Sequence, residues 1–203
     1  MALGGGRSFG INIVGNFVAI SCGIWTILAE DFSQESQAFE RRGCRMRIIG
    51  IDPGTGILGF GVIDFVPGKA PKMIDAGVVS TPAHTPLNER LLDIYNSLTE
   101  IIKTTKPDAM SIEKLFFAQN VTTAISVAEA RGVVILTAAQ NDLPIFEYTP
   151  LQIKQTLTGY GRAEKKQVQE MVRIHLNLKE IPKPDDAADA LAAAITHDLM
   201  GRV

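Results

Sequence analysis

Residues 47–68, RIIGIDPGTGILGFGVIDFVPG, decide the fold because they contain two strand-like runs separated by glycine-rich turns. Gly54 and Gly56 interrupt the first run, and Pro67 with Gly68 ends the second, before a third run, KMIDAGVVST, at 72–81. Strands joined by turns this short lie side by side and antiparallel. The pattern therefore predicts a three-stranded meander.

The rest of the chain alternates helical and strand-like patterns. A helix is predicted to begin near Asn88, and DAMSIEKLFF at 108–117 reads as a fourth strand. Asn120 is placed to cap a second helix, and IFEYTP at 145–150 is a fifth strand that Pro150 ends. Three helical segments follow: LQIKQTL, EKKQVQEMVRIHL and DDAADALAAAITHDLM. This order predicts an α/β fold, a mixed five-stranded sheet flanked by helices.

Composition limits the function less than it limits the fold. The chain has 203 residues, 46% of them hydrophobic, which suits one domain or one domain with an appendage. The net charge of -2 favours no partner and counts mildly against a nucleic-acid binder. Cys22 and Cys44 both precede Met46, so a disulfide scaffold, a thiolate zinc site and a cysteine nucleophile are excluded after it.

Residues 1–45 differ from the remainder. The stretch 8–29 carries no charge and approaches the ~20 residues that span a bilayer. Three interpretations stay open: a membrane or export segment, a soluble extension, or upstream sequence included through a misplaced start codon. We favour the third, and we predict an extension at 1–45 followed by a compact domain at 46–203.

Two acids end strands that are otherwise apolar. Asp52 closes IIGID and Glu113 closes AMSIE, where a buried carboxylate needs a cation, hydrogen bonds or solvent. Taken alone, Asp52 fits an acceptor for turn amides and Glu113 fits an edge residue. The two together are more suggestive than either one.

The last helical segment carries a second pair of acids. Asp186 and Asp189 are three residues apart and share one helix face, and Asp189 lies among alanines suited to close packing. Asp185 is predicted to be the helix N-cap and His197 to cap the other end. Four carboxylates in one pocket would repel unless cations are present. Mg²⁺ takes oxygen ligands, and two such ions can clamp a phosphodiester during hydrolysis.

Basic and aromatic residues complete the candidate site. Lys154, Lys165 and their basic neighbours Arg162 and Lys166 surround the loop TGYGRAEKK, which would follow a phosphate backbone or simply lie in solvent. Phe116 and the adjacent Phe117 follow the Glu113 strand. Aromatic residues there either stack on unpaired bases or belong to the core.

Several segments in order resemble the RuvC family of bacterial Holliday-junction resolvases: GIDPGTGILGFGVI, IEKLFFAQN, EARGVV, FEYTPLQIKQTLTGYGRAEKKQVQ and DDAADALAAAITH. The resemblance begins at Met46 and covers none of residues 1–45. It implies a ribonuclease H-like fold, a cytoplasmic homodimer, two Mg²⁺ per subunit with Mn²⁺ as a substitute, and paired symmetrical nicks in four-way junction DNA. Cleavage in the family leaves 5′-phosphate and 3′-hydroxyl ends.

The resemblance also assigns residues. It places the family's catalytic and metal-binding acids on Asp52, Glu113, Asp186 and Asp189, its junction-contacting lysines on Lys154 and Lys165, and its base-stacking aromatic on Phe116. It implies the branch-migration proteins RuvA and RuvB as partners.

Three other classes of function remain for comparison. An actin-like phosphotransferase shares the DPGT turn, but it needs two such lobes and this chain has room for one. A nuclease of the same fold acting on RNA would use the same carboxylates. A non-catalytic junction-binding module would not need all four acids.

Overall fold

The computed structural model describes residues 45–114 and 121–201, apart from the side chains of residues 121–123. Five strands and five helices lie in these ranges: β1 (Met46–Asp52), β2 (Ile57–Phe65), β3 (Lys72–Ser80), α1 (Leu87–Thr105), β4 (Ala109–Glu113), α2 (Val121–Gln140), β5 (Ile145–Tyr148), α3 (Pro150–Thr158), α4 (Lys165–His175) and α5 (Asp185–Met200). The predicted α/β fold, with a mixed five-stranded sheet flanked by helices, is confirmed.

The strands form one sheet in the order β3-β2-β1-β4-β5. The meander pairs β1 with β2 and β2 with β3 antiparallel, as the short turns predict. Parallel pairing of β1 with β4 and of β4 with β5 follows from the helical crossovers between them. Consequently β1, β4 and β5 end at the same edge of the sheet.

Each face of the sheet has its own core. Ile49 and Ile51 of β1 pack with the buried side chains of α1 and α2. Ile48 points to the opposite face, which α3, α4 and α5 cover. Because side chains alternate along a strand, Gly50 and Asp52 share the face of Ile48.

Helix α5 lies unusually close to the strands. A Cβ atom added to Gly50 would stand 2.0 Å from the carbonyl oxygen of Ala190, so only glycine allows this approach. The alanines of α5 are buried along most of its length, which explains the alanine-rich sequence. The helix that carries Asp186 and Asp189 is therefore fixed against the centre of the sheet.

Some local predictions need correction. Helix α5 begins at Asp185 with Pro184 as its N-cap, so Asp185 lies in the first turn and is not the cap. Pro150 not only ends β5 but also occupies the first turn of α3, which Thr149 caps. The predicted cap Asn120 and the 115–117 part of the predicted fourth strand lie outside the described residues.

Among residues 45–114 and 121–201, no helix combines the length and apolar character needed to cross a membrane.

Candidate active site

Asp52 and Glu113 lie side by side at one edge of the sheet. The parallel pairing of β1 with β4 runs to Ile51 opposite Ile112, and each acid is the next residue of its strand. Alternation turns both side chains toward α5. The strand register therefore brings the two strand-end acids together, as the sequence predicts.

The start of α5 brings the second pair of acids to the same edge. Gly59 of β2 is the register partner of Asp52, and a Cβ atom added to Gly59 would stand 2.1 Å from the carbonyl oxygen of Asp186. The first turn of α5 therefore rests on the strand next to Asp52. Asp189, one turn further along the helix, has a side chain that is 26% exposed.

The carboxylates influence one another strongly. Burial, followed by the negative charges of Asp189 and Asp186, raises the pKa of Asp52 to about 6. Burial and the charges of Asp52 and Asp189 raise the pKa of Glu113 to about 7. The pKa of Asp189 is also raised, chiefly by burial. These shifts mean that the cluster resists carrying its full negative charge.

Two lysines face the acids. The ammonium of Lys165 lies 2.8 Å from an Asp189 carboxylate oxygen and 3.6 Å from one of Asp185. Lys154 and Lys165 both lower the pKa of Glu113, against the larger effect of burial. A cavity of about 300 Å³ lies between these groups, and it is lined by Glu113, Pro150, Ile153, Lys154, Lys165, Val168, Asp189 and Ala192.

The helices that carry the lysines begin at well-formed caps. Thr149 accepts a hydrogen bond from the amide of Gln152, and the Gln152 side chain accepts one from the Thr149 amide, forming a capping box at the start of α3. Gly159 ends that helix at φ 75°, which is a backbone conformation that glycine adopts at little cost. Lys154 and Lys165 thus lie on two consecutive helices that fold back toward the acids. Phe116 and Phe117 lie outside the described residues.

The donor chemistry of this cluster fits a hard divalent cation. Carboxylate oxygens are the ligands that Mg²⁺ prefers, and a cation would offset the burial and the mutual repulsion that together raise the pKa values of Asp52, Glu113 and Asp189. In the part of the chain that the structure describes, however, no three Asp, Glu, His or Cys side chains already form a group able to hold a metal ion. The arrangement is an acidic cluster with Lys165 against it.

Two further contacts reach this region, and the sequence did not predict either one. The hydroxyl of Ser111, on β4, donates to the carbonyl oxygen of Ala193 on α5 at 2.7 Å. The hydroxyl of Tyr148, on β5, lies 2.8 Å from Nδ1 of His197. The prediction that His197 caps its helix is wrong, because its ring turns inward to β5. Both contacts join residues far apart in sequence, so no local spacing signals them.

Comparison with known proteins shows what the chain is similar to. The family model described as "Crossover junction endodeoxyribonuclease RuvC" matches residues 48–197. A RuvC protein of that description from Desulfitobacterium hafniense is 57% identical over 152 residues, which is 75% of this chain and 92% of that protein. The Thermus thermophilus RuvC structure matches at 39% identity and a TM-score of 0.72, covering 77% of this chain and 96% of that one. The same protein in complex with a Holliday junction substrate matches at 38% identity and a TM-score of 0.74, with 77% and 95% covered.

Proposed function

The chain belongs to the RuvC family of crossover junction endodeoxyribonucleases, and from this premise we propose how its site resolves a four-way DNA junction. The protein is a structure-selective endonuclease that cuts phosphodiester bonds by paired, symmetrical nicks, leaving 5′-phosphate and 3′-hydroxyl ends. The observation that supports the assignment of the site is the meeting of strand-end and helix acids at one sheet edge, where burial and the neighbouring carboxylates raise the pKa values of Asp52 and Glu113.

Asp52, Glu113, Asp186 and Asp189 are the proposed catalytic and metal-binding residues. The family implies a divalent metal ion, and we propose two Mg²⁺ per subunit, with Mn²⁺ as a substitute. Mg²⁺ held by these four carboxylates would supply the positive charge needed to activate water and to stabilise the departing oxygen. The protein would preorganise the site, because β1, β4 and α5 hold the four carboxylates close together despite their mutual repulsion.

Lys154 and Lys165 are the proposed contacts to the DNA backbone. Both line the cavity that also contains Glu113 and Asp189, so a phosphate bound there would lie beside the acids. An ammonium attracts a phosphate as a point charge, and such contacts position nucleic acid without reading its sequence. Phe116 is proposed as the base-stacking residue on the resemblance alone.

A homodimer is the proposed working form. Leu92 on α1 and Ile125 and Leu136 on α2 are 56%, 57% and 54% exposed, and these two helices pack against each other. Burial of such side chains against a second copy would stabilise a dimer. A two-fold enzyme also matches a two-fold junction, so both strands are cut in one encounter.

The remaining proposals come from the family resemblance. Residues 46–203 are the proposed nuclease domain, and residues 1–45 are an extension outside it. RuvA and RuvB are the proposed partner proteins, and the cytoplasm is the proposed location.

A cleavage assay tests the function directly. The purified chain is incubated with a synthetic four-way junction, a linear duplex and an RNA–DNA hybrid, each with Mg²⁺ and with EDTA. We expect paired, ligatable nicks in the junction alone, and only with Mg²⁺. Preferred cutting of the hybrid would favour an RNA-processing nuclease, and tight binding without cutting would favour a non-catalytic module.

A further inference from the structure

Tyr148 contacts or adjoins three elements of the site: the end of β4, the start of α3 and helix α5. It is the register partner of Glu113 in the parallel β4–β5 pair, and its carbonyl oxygen accepts a hydrogen bond from the Lys114 amide at 2.8 Å. The next residue, Thr149, caps the helix that carries Lys154. Any displacement of Tyr148 is therefore passed to the strand end of Glu113 and to the start of α3.

The side chain of Tyr148 connects this point to α5. Its hydroxyl lies 2.8 Å from Nδ1 of His197, and both side chains are in the interior, at 9% and 7% exposure. The His197 ring also stacks on Phe146, with 4.1 Å between ring centroids. Burial lowers the pKa of His197 to about 4, so the ring is neutral near pH 7 and one of its nitrogens is available as an acceptor.

His197 and Asp189 belong to the same helix. They are eight residues apart, and the intervening residues of α5 are buried, so this part of the helix moves as one body. The Tyr148–His197 hydrogen bond consequently links the strands that present Glu113 with the helix that presents Asp189. This link reaches Glu113 and Asp189 through the backbone of the strands and of α5, whereas the hydrogen bonds that usually orient metal ligands contact the ligands directly.

We propose that Tyr148 and His197 are a positioning pair, whose hydrogen bond acts together with the Ser111–Ala193 bond and the close packing of α5 on the sheet to hold the separation of Glu113 and Asp189. Both side chains are buried, so the role that we assign to them is positioning and not contact with the DNA. This inference rests on the proposed function, because it concerns the geometry of the same acidic cluster.

Tyr148→Phe tests the proposal, with Thr196→Val as its matched control. Tyr148→Phe removes one buried hydroxyl that joins two elements. Thr196→Val removes one buried hydroxyl on the neighbouring residue of α5, where it donates to the carbonyl oxygen of Ala192 in the same helix. Both variants lose one buried hydrogen bond, and Tyr148→Phe should cost more stability because it leaves Nδ1 of His197 without this partner.

The two variants should differ in metal use. In the full-length chain, at a temperature where circular dichroism shows every variant folded, we expect Tyr148→Phe to lower cleavage about tenfold. Its Mg²⁺ affinity, measured without DNA by calorimetry, should weaken about fivefold or more, while junction binding stays unchanged. Thr196→Val should remain within about twofold of the wild type. Equal metal affinities for the two variants would overturn the proposal.

Two replacements of His197, one conservative and one apolar, test the proposal a second time. His197→Asn keeps an amide atom near the position of Nδ1 and should retain most of the Mg²⁺ affinity, whereas His197→Leu should match Tyr148→Phe. The double variant Tyr148→Phe/His197→Leu should be no worse than its worse single, because both changes remove one shared bond. Unaltered Mg²⁺ binding in His197→Leu contradicts the positioning role. Absence of junction cleavage by the wild type is a separate result, which overturns the proposed function.

Discussion

The two ends of the β1–β2 hairpin hold acids in opposite electrostatic surroundings. At the Met46 end, Asp64 is the register partner of Arg47 and accepts hydrogen bonds from its Nε at 2.7 Å and its Nη2 at 3.0 Å. Arg47 lowers the pKa of Asp64. At the other end, burial and neighbouring acids raise the pKa of Asp52.

The difference separates structural acids from candidate metal ligands. An acid that the chain supplies with its own arginine is satisfied and gains nothing from an added cation. An acid left mainly with other acids lacks that compensation, and among the described residues it is the partly exposed Lys165 and Lys154 that lower the pKa of Glu113. A fold gains no stability from such an arrangement, so its explanation lies in what binds there.

The largest expected effect is the loss of cleavage when one carboxylate of the acidic cluster is neutralised. Asp189→Asn should lower junction cleavage about 10²- to 10³-fold, because the loss of a metal-ligating carboxylate costs several kcal/mol of transition-state stabilisation. Junction affinity, measured by gel shift in Ca²⁺, should change little. Asp64→Asn is the control, since it lies at the opposite end of the hairpin.

Asp64→Asn should give the reverse pattern. The variant leaves Arg47 without its charged acceptor and should lower the free energy of unfolding by about 2 kcal/mol, measured by urea denaturation. Its cleavage rate in the folded state should stay near that of the wild type. A fall in cleavage comparable to that of Asp189→Asn would show that the two ends are not distinct.

The next effect is a pH dependence of stability in metal-free buffer. Burial and the neighbouring acids raise the pKa of Asp52 from its ordinary value of 3.8 to about 6, so its contribution to stability is present below pH 4 and is lost as pH rises through 6. Asp52→Asn cannot ionise and escapes this loss. Its stability relative to the wild type should therefore rise by about 1–3 kcal/mol between pH 4 and pH 8.

Comparison at each pH cancels titrating groups that Asp52 does not influence, including His197, whose lowered pKa acts in the opposite direction. Glu113 does not cancel, because Asp52 raises its pKa, and its change adds to the difference in the same direction. Chemical denaturation at several pH values with EDTA gives the difference directly. Saturating Mg²⁺ should reduce it, because a bound cation stabilises the ionised wild type. A difference that is constant with pH would contradict the raised pKa of Asp52.

A smaller effect is expected from the lysine that partly neutralises the cluster. Lys165→Gln removes the charge that lies 2.8 Å from Asp189 and that lowers the pKa values of Asp52 and Glu113. Mg²⁺ binding without DNA should tighten by about threefold, a magnitude typical of one charge near a protein surface. Lys166→Gln is the control, since it removes a lysine charge from the adjacent residue. Weaker Mg²⁺ binding in Lys165→Gln alone would mean that Lys165 supports the metal site.

The same variant should weaken junction binding. Loss of one phosphate contact is expected to reduce the slope of log affinity against log salt by about one. A salt slope equal to that of the wild type would show that Lys165 makes no contact with the DNA backbone.

The site residues that could be predicted from sequence are the acids that interrupt an otherwise apolar segment. Asp52 and Glu113 end apolar strands, and Asp189 interrupts a run of alanines, so each is visible in its own segment. The strand register then brings the two strand-end acids together, as the parallel pairing of β1 with β4 requires.

The parts that sequence could not give depend on distant partners. Tyr148 and His197 are 49 positions apart, and Ser111 and Ala193 are 82 apart. A tyrosine ending a strand and a histidine near a helix end both look ordinary, and nothing local tells which way the histidine ring turns. The same lack of information explains the wrong capping prediction for His197.

The smallest expected effect is a change of stability at the end of the sheet that holds Arg47 and Asp64. Lys106 ends α1 at φ 50° in the left-handed region, and its amide donates to the carbonyl oxygen of Ile102. A lysine there costs about 1 kcal/mol that glycine avoids. Lys106→Gly should therefore raise the free energy of unfolding by about 0.5–1 kcal/mol, whereas Lys106→Ala, which keeps the strain, should not. Because Lys106 adjoins Thr105, whose carbonyl accepts from Arg47, this gain belongs to the end of the sheet away from the acids. Junction cleavage should be the same in both variants. A cleavage rate that rose with the stability of Lys106→Gly would show that the Asp64 end of the sheet and the acidic cluster are energetically coupled.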